Sequence, residues 1–457
     1  MIGLNSRQNL KVTRVADAIR TRQATIGVIG LGYVGLPLAV EYARGGYQVL
    51  GIDVDVDKVS AIKTGKSYIQ DVPSELVSSL VQQGLLRAMD DFATVGEMDV
   101  VFICVPTPCT RSKQPDTAYI SQAAHELSSR LRSGQLVVLR STSYPGTTRE
   151  IVRPALEASG LRVGEDVFLA FAPERVDPGR KSPSFREVPV LVGADDSESR
   201  ELAALALSAV TDQVVPVSST TVAEMAKLLE NVFRNVNIAL VNQLALLCDR
   251  MGIDVWEVIR AAATKPYGFM PFSPGMVGGH CIPVDPYYLA WKAKEYDFHM
   301  DFIEIAARIN EDMPYYIAER VLLLLNGRFQ GRVPRILVLG VTFKRDVADL
   351  RYSPATKLIE LLLQRGVWVE YHDPFVDTLV VGTQRLTSTP LSVESVRSAD
   401  CIIIATDHTH VDYQLVLDNG TLVFDVRNAT HGMAGRAEVI RLGDGRSWRA
   451  ISNVTGA

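Results

Sequence analysis

The chain has 457 residues, 47% of them hydrophobic and 22% charged, with a formal net charge of -5 at pH 7. That length exceeds what a single hydrophobic core supports and points to about three domains, while the nearly balanced charge argues against nucleic acid or an anionic membrane surface as the general partner. The 5 cysteines are odd in number and widely spread, without a CxxC pair or zinc-type spacing, so neither a disulfide framework nor a metal site is expected.

No basic stretch followed by an apolar one opens the chain, and no apolar run approaches a membrane span, which gives a cytoplasmic protein with reduced thiols as the expectation. Residues 1–23 are polar, with Val12, Val15, Ala16 and Ile19 at helical spacing, which predicts a short docking helix. From Thr25 the apolar run Ile26–Ile29, a glycine-rich turn, a helical stretch Leu36–Ala43 and a second run Tyr47–Ile52 ending on Asp53 read as strand, tight turn, helix, strand. Further buried strands are expected at 100–105, 136–139, 167–172 and 188–192, giving a doubly wound sheet to about residue 215.

The texture then changes. Thr220–Met251 carries apolar residues at 222, 225, 226, 229, 232, 233, 236, 240, 241, 244 and 247, with no Pro or Gly until Gly252; this predicts a long amphipathic helix, a spine between two α/β halves. Residues 265–288, rich in Pro and Gly, are expected to be an ordered loop. Helical patterning returns between Tyr287 and Leu325. Arg335–Gly340 opens a second α/β set, continued by a Lys357–Gln364 helix and strands near 367–371, 401–405 and 422–426. The expected fold class is therefore α/β, two Rossmann-like doubly wound domains joined by a long-helix central domain. The expected boundaries are an extension over 1–23, a first domain over 24–215, a central domain over 216–325 and a C-terminal domain over 326–457.

Gly30-Leu31-Gly32-Tyr33-Val34-Gly35 follows a strand and opens a helix. The first glycine permits the turn, the second lets a pyrophosphate reach the backbone, and the third lets helix and strand pack, with the helix N-terminus donating amides. Asp53 ends the next strand 23 residues after Gly30, where a carboxylate accepts from both ribose hydroxyls and repels a 2′-phosphate, so NAD is favoured over NADP. A strand-end turn residue is the competing account of Asp53. Lys58 reads equally as a contact to cofactor phosphate or as a solvated surface lysine. Pro106 and Thr107, with Ser141 and Thr142, follow strands whose C-termini line the crevice of such a sheet; capping or turn duty competes for both threonines.

A cysteine is nucleophilic as its thiolate. Cys281 stands behind Gly278-Gly279-His280 and four residues before Asp285, and a dehydrogenase that owns such a thiol can carry an alcohol past the aldehyde. The glycines offer side-chain-free access for a sugar and the nicotinamide. A free cysteine is more often a small buried hydrophobe, and that account fits Cys104, Cys109, Cys248 and Cys401. On the long helix, Glu224, Lys227, Asn231, Arg234 and Asn235 share a polar stripe. A solvated face is the ordinary meaning of such a stripe; Lys227 and Asn231, one turn apart, equally suit holding a water and a developing oxyanion. Ala172-Pro173-Glu174-Arg175 supplies a charged loop at the sheet's C-terminal edge, where a carboxylate suits a base for thioester hydrolysis, with a surface turn as the alternative.

At these residues the chain resembles nucleotide-sugar 6-dehydrogenases of the UDP-glucose/GDP-mannose dehydrogenase family. The matching pieces are GLGYVGLP (30–37), STSYPGTT (141–148), APERVDPG (172–179), AKLLENVFRN (226–235), GGHCIPVDP (278–286) and GVTFKRDVADLRYSP (340–354), in family order. The resemblance implies a four-electron oxidation of a sugar C6 alcohol to the uronate with two NAD molecules, through a thiohemiacetal and a thioester on Cys281. It implies that Lys227 and Asp285 orient water and stabilise oxyanions, that Asn231 and Thr142 assist, and that Glu174 acts in acid/base or hydrolytic steps. It further implies that Tyr33 and Val34 sit at the cofactor with the glycines, and that Glu174, Arg175, Lys227, Asn231, Lys265 and Gly278 meet the sugar. Phe343 and Lys344 would contact the nucleotide-sugar, Arg427 the diphosphate, and Arg351 the cofactor of a neighbouring subunit.

No GxGxxG follows Arg335–Leu339, so one dinucleotide site per chain is expected, with the sugar nucleotide on the other half. Where UDP-glucose enzymes carry PEFLxEG this chain has PERVDPG, and Lys265 stands in place of the family's loop arginine. Both departures resemble the branch acting on UDP-N-acetylhexosamines, UDP-GlcNAc above all, with UDP-ManNAc beside it. UDP-glucose or TDP-glucose oxidation is the alternative substrate reading; a non-catalytic NAD and sugar-nucleotide binding protein, or a one-step alcohol dehydrogenase of the 6-phosphogluconate type, are the alternatives in kind. The apolar spine suggests a homodimer or higher homo-oligomer.

Overall fold

In the computed structural model, which describes residues 2–110, 112–175, 184–326 and 332–446, the chain forms two compact units. The first holds residues 1–230 and 287–298, the second 231–286 and 299–457. Within the first, the docking helix runs Ile2–Arg20 and buries Val15, Ala16 and Ile19 in the core of the adjoining sheet. The Tyr47 hydroxyl donates to Ile19 O at 2.9 Å and ties the helix down.

That sheet comprises β1 (Thr25–Ile29), β2 (Gln48–Ile52), β3 (Leu86–Met89), β4 (Val100–Ile103), β5 (Leu136–Leu139), β6 (Phe168–Phe171), β7 (Val190–Gly193) and β8 (Val214–Val217), in the order β3-β2-β1-β4-β5-β6-β7-β8. The first six are parallel, with Leu139 facing both Ile103 and Phe171. Strands β4, β5 and β6 are buried along their whole length, which is why they read as unbroken apolar runs. β7 meets β6 antiparallel through Phe171 and Gly193, and β8 continues parallel to β7. β3 and β8 were not expected: LRAM breaks its apolar run with Arg87, and VVPV carries Pro216, which only an edge strand tolerates.

The long helix spans Thr220–Met251, as its periodicity predicts. The second unit adds helices Val255–Ala262 and Asp301–Leu325 and a parallel sheet of β9 (Arg335–Leu339), β10 (Trp368–His372), β13 (Cys401–Ile404), β14 (Leu422–Asp425) and β15 (Glu438–Arg441), ordered β10-β9-β13-β14-β15. A separate hairpin pairs β11 (Thr378–Val381) with β12 (Gln384–Thr387). The α/β class with two Rossmann-like sheets and a long helix is thus borne out. One boundary differs: the Pro/Gly-rich loop ends at Val284, because Cys281 O accepts the Val284 and Asp285 amides at 3.1 and 2.8 Å and starts the helix Asp285–Ala293. Pro286 is tolerated there because the first turn needs no amide from it.

Candidate active site

The glycine cradle lies at the C-terminal end of β1. Gly30 takes φ +88, and a Cβ there would lie 2.5 Å from Cys104 O; a Cβ on Gly35 would lie 1.7 Å from Gly30 O. Only glycine fits either position. Gly32 has nothing within 4 Å of its absent Cβ, so that face stays open to a phosphate. The cradle therefore fits a dinucleotide in all three of its glycines, with Tyr33 and Val34 between them.

Asp53 is buried at the end of β2, its Oδ2 accepting Leu31 N at 2.7 Å and its Oδ1 accepting Asp55 N at 3.0 Å. It thus shapes the glycine turn from across the strand gap. Lys58 is neither isolated nor fully solvated: its Nζ lies 3.5 Å from Asp53 Oδ2 and 3.6 Å from Asp55 Oδ2. Sequence reasoning missed Tyr68, whose hydroxyl donates to Leu31 O at 2.6 Å; a lone tyrosine in a polar loop gives no signal.

Past β4, Pro106 is exposed and Thr107 half-buried, with Thr107 O accepting the Tyr288 hydroxyl. Ser141 Oγ donates to Val105 O at 2.8 Å and joins the ends of β4 and β5, with half-buried Thr142 following it. Past β6, Glu174 accepts Arg140 Nη2 at 2.6 Å and the Arg175 amide at 2.8 Å, so it is not a plain surface turn. Burial works against the Arg140 charge, but Glu174 outweighs it and lifts the guanidinium above its ordinary value. Arg175 points its own guanidinium to Pro189 O at 2.7 Å and Glu230 at 2.8 Å. Burial also pushes the Cys104 thiol up to about 12, in keeping with a structural thiol. Residues 176–179 of the charged loop lie outside the described residues.

The polar stripe is not a solvated face. Glu224, Lys227, Asn231 and Asn235 are all buried, and Arg234 alone of the five is exposed. Glu224 accepts Gly146 N at 2.6 Å, Thr148 N at 2.9 Å and Thr148 Oγ1 at 2.6 Å. It anchors the STSYPGTT segment, which no sequence spacing reveals because the partners lie 76 and 78 residues away.

In the second unit Asn231 Nδ2 donates to the buried Asp285 Oδ2 at 2.6 Å. Cys281 is half-buried, and its carbonyl heads the helix that carries Asp285. The diglycine before it is not open on both sides: a Cβ on Gly278 would lie 2.8 Å from Phe343 Cβ, and one on Gly279 would lie 2.8 Å from the Phe343 ring. Upstream, Gly275 N donates to Asn242 Oδ1 at 2.8 Å, Asn242 Nδ2 to Asn310 Oδ1 at 2.9 Å, and Asn310 Nδ2 to Asn235 Oδ1 at 2.7 Å. This buried amide chain fixes the loop to two helices. Lys265 is exposed, its ammonium 5.1 Å from the Tyr267 ring centre.

Arg427 lies 3.2 Å from Asp407, and the same carboxylate binds Arg345. A Cβ on Gly275 would meet Arg427 Nη1 at 3.0 Å, which places the loop against this arginine. Burial lowers the Arg427 guanidinium from its ordinary value. Lys344 is half-buried beside Phe343 in sequence. Arg351 folds onto Asp349, with Nε at 3.0 Å and Nη2 at 2.6 Å from Oδ2. Of the expected residues, the cofactor glycines, Asp53, Lys58, Thr107, Thr142, Glu174 and Lys227 thus belong to the first unit. Asn231, Lys265, Gly278, Cys281, Asp285, Phe343, Lys344, Arg351 and Arg427 belong to the second.

Residues 24–209 match the NAD binding domain of the UDP-glucose/GDP-mannose dehydrogenase family, residues 221–312 its central domain and residues 337–432 its UDP binding domain. The chain is 36% identical over 387 residues to the UDP-N-acetyl-D-glucosamine 6-dehydrogenase of Pseudomonas aeruginosa, covering 84% of this chain and 90% of that protein. It is similar to the solved UDP-D-ManNAc dehydrogenase of Pyrococcus horikoshii, with a TM-score of 0.83 and 33% identity over 92% of this chain and 99% of that one. It is also similar to a UDP-glucose dehydrogenase of Pyrobaculum islandicum, with a TM-score of 0.78 and 28% identity over 91% of this chain and 97% of that one. Among the described residues no helix is long and apolar enough to cross a membrane.

Proposed function

The chain belongs to the UDP-glucose/GDP-mannose dehydrogenase family, and from that premise we propose that it oxidises the C6 hydroxyl of a UDP-N-acetylhexosamine, UDP-GlcNAc or UDP-ManNAc, to the uronic acid through a covalent adduct on Cys281. It is an NAD-dependent oxidoreductase of nucleotide-sugars. Gly30, Gly32, Gly35 and Asp53 would hold the dinucleotide, with Lys58, Pro106, Thr107 and Thr142 around it; when bound, NAD supplies the acceptor for the hydride lost at each oxidation.

The remaining chemistry falls to side chains. The Cys281 thiolate adds to the C6 aldehyde, forming a C–S bond, and the resulting oxyanion is met by Lys227 and by water held on Asp285. Asn231 keeps Asp285 turned to that task through its 2.6 Å bond. After the second oxidation, water adds to the thioester carbonyl, its proton passes to Glu174, and the C–S bond breaks to return the thiolate and the uronate. Arg427, Phe343 and Lys344 are assigned to the nucleotide, and Arg175, Gly278 and Lys265 to the sugar side.

The observation that carries this reading is the Cys281 turn itself: its carbonyl starts the helix bearing Asp285, Asn231 locks that carboxylate, and Phe343 backs the diglycine. For the substrate, support comes from PERVDPG and Lys265 in the sequence and from the acetylated-sugar enzymes among the relatives. None of the five cysteines is bound in a disulfide, which suits a reducing cytoplasm. The exposed apolar residues of the long helix support a homodimer, in which Arg351 would serve the partner's cofactor.

An NADH-coupled screen of UDP-GlcNAc, UDP-ManNAc, UDP-glucose, UDP-galactose and TDP-glucose tests the proposal. Two NADH per sugar are expected, and one NADH with released aldehyde would exclude the thioester route. Turnover only of the glucose donors would favour the alternative substrate. Cys281→Ser should lower kcat by about 1000-fold or more, the scale of losing a covalent nucleophile; an unchanged rate removes its role.

A further inference from the structure

Arg140 heads the largest fully buried side chains among the described residues, 1% exposed, closing the all-apolar strand Leu136–Leu139. A guanidinium there is not explained by the core. A buried ion pair contributes little or nothing over an apolar pair of equal size, and Arg140 leaves Nε and Nη1 without a hydrogen-bond partner among the described residues. Its one described side-chain bond is Nη2 to Glu174 Oε2, at 2.6 Å. The other carboxylate oxygen accepts the Arg175 amide at 2.8 Å. With a donor fixed on each oxygen, the carboxylate cannot rotate about its terminal torsion. Arg175, the neighbouring cation in sequence, is engaged with Pro189 O and Glu230, so the task falls to Arg140.

We propose that Arg140 is a positioning residue: its guanidinium, buried beneath the ends of β5 and β6, holds the Glu174 carboxylate in the orientation from which it takes the proton of the hydrolytic water. This rests on the reading of Glu174 as the base of the thioester step. In that step the water oxygen bonds to the carbonyl carbon, its proton moves to Glu174, and the C–S bond to Cys281 breaks. Arg140 itself exchanges no proton and touches no substrate.

The test is a set of full-length variants, R140K, R140M, E174Q and the doubles R140K/E174Q and R140M/E174Q, assayed with whichever of UDP-GlcNAc or UDP-ManNAc the wild type oxidises. Losing an aligned base is worth on the order of 100-fold, so R140M should lower kcat by about that factor. R140K, which keeps charge without the planar fork, should lower it by about tenfold. The KM values for NAD and sugar should stay within about threefold, the first-turnover NADH burst should keep its wild-type amplitude, and a sugar adduct on Cys281 should accumulate in quenched samples by mass spectrometry. In the E174Q background neither substitution should change kcat by more than about twofold, because coupled residues are not additive. Independent, multiplying losses would overturn the proposal, as would an R140K or R140M rate within about threefold of wild type. So would an R140K loss that falls equally on the burst and on hydrolysis, since that marks a strand brace. If R140M does not fold, the R140K cycle alone decides. If E174Q itself turns over at the wild-type rate, the reading of Glu174 fails rather than the geometry of Arg140.

Discussion

Asp53 serves two masters at one position. Its Oδ2 holds Leu31 N of the glycine turn at 2.7 Å, and the carboxylate end is where an adenosine ribose would bond. Asp53→Asn keeps an acceptor for the turn but loses the charge; it should raise the KM for NAD by roughly tenfold, the scale of one charge-assisted hydrogen bond, and raise the NADP/NAD rate ratio. Initial rates with both cofactors measure this, and an unchanged ratio would leave Asp53 a turn residue only. This residue was legible in the sequence because its spacing from Gly30 carries a mechanism. Glu224 was legible only as polar: its three donors come from Gly146 and Thr148, a contact no local pattern encodes. Arg140 was illegible for the same reason, a single charge ending an apolar strand, with its partner 34 residues on.

At the level of elements, the Thr220–Met251 helix was readable end to end because 32 residues without Pro or Gly leave the 3.6 periodicity undisturbed. Short strands such as β3 and β15 were not, since four residues with an exposed charge give no period. The second sheet has an element-scale weakness to acid. Burial alone would raise the Asp373 carboxyl, but His408 and the Val341 amide, which donates at 2.6 Å, outweigh it and hold it below the usual range. Asp400 is held low in the same sense, burial being outweighed by Arg332 and the Arg335 amide. A carboxylate depressed in the folded state stabilises it above the unfolded pKa, near 4, and loses that contribution as pH falls through the lower folded value. Melting temperatures should therefore be level from about pH 7 to 5 and fall below about pH 4, and Asp373→Asn should flatten part of that fall. A melting temperature that instead rises on acidification would contradict the assignment.

Across the whole molecule, the long helix presents an exposed apolar stripe, while Glu224, Lys227, Asn231, Asn235 and Asn242 are buried beside apolar side chains of the same helix. Leu229 is 61% exposed, Leu240 54%, Leu247 50% and Met251 59%, and the exposed Val222, Met225, Phe233 and Leu244 fall on the same stripe. A contiguous apolar stripe of this length marks an interface. Light scattering should give at least twice the chain mass of 50.1 kDa, and Leu229→Glu with Leu240→Glu should shift it toward a single chain; a wild-type monomer at micromolar concentration would sink the dimer. The contact of Phe343 with Gly278 and Gly279 has a different reach. One aromatic ring both buttresses the Cys281 turn and neighbours Lys344 in the segment proposed to contact the nucleotide-sugar, so on that proposal donor preference and nucleophile geometry are inherited together. Directed evolution toward a new donor will be poorly served by randomising position 343, and better served by the Lys265–Met270 stretch, whose side chains are exposed and free to diversify.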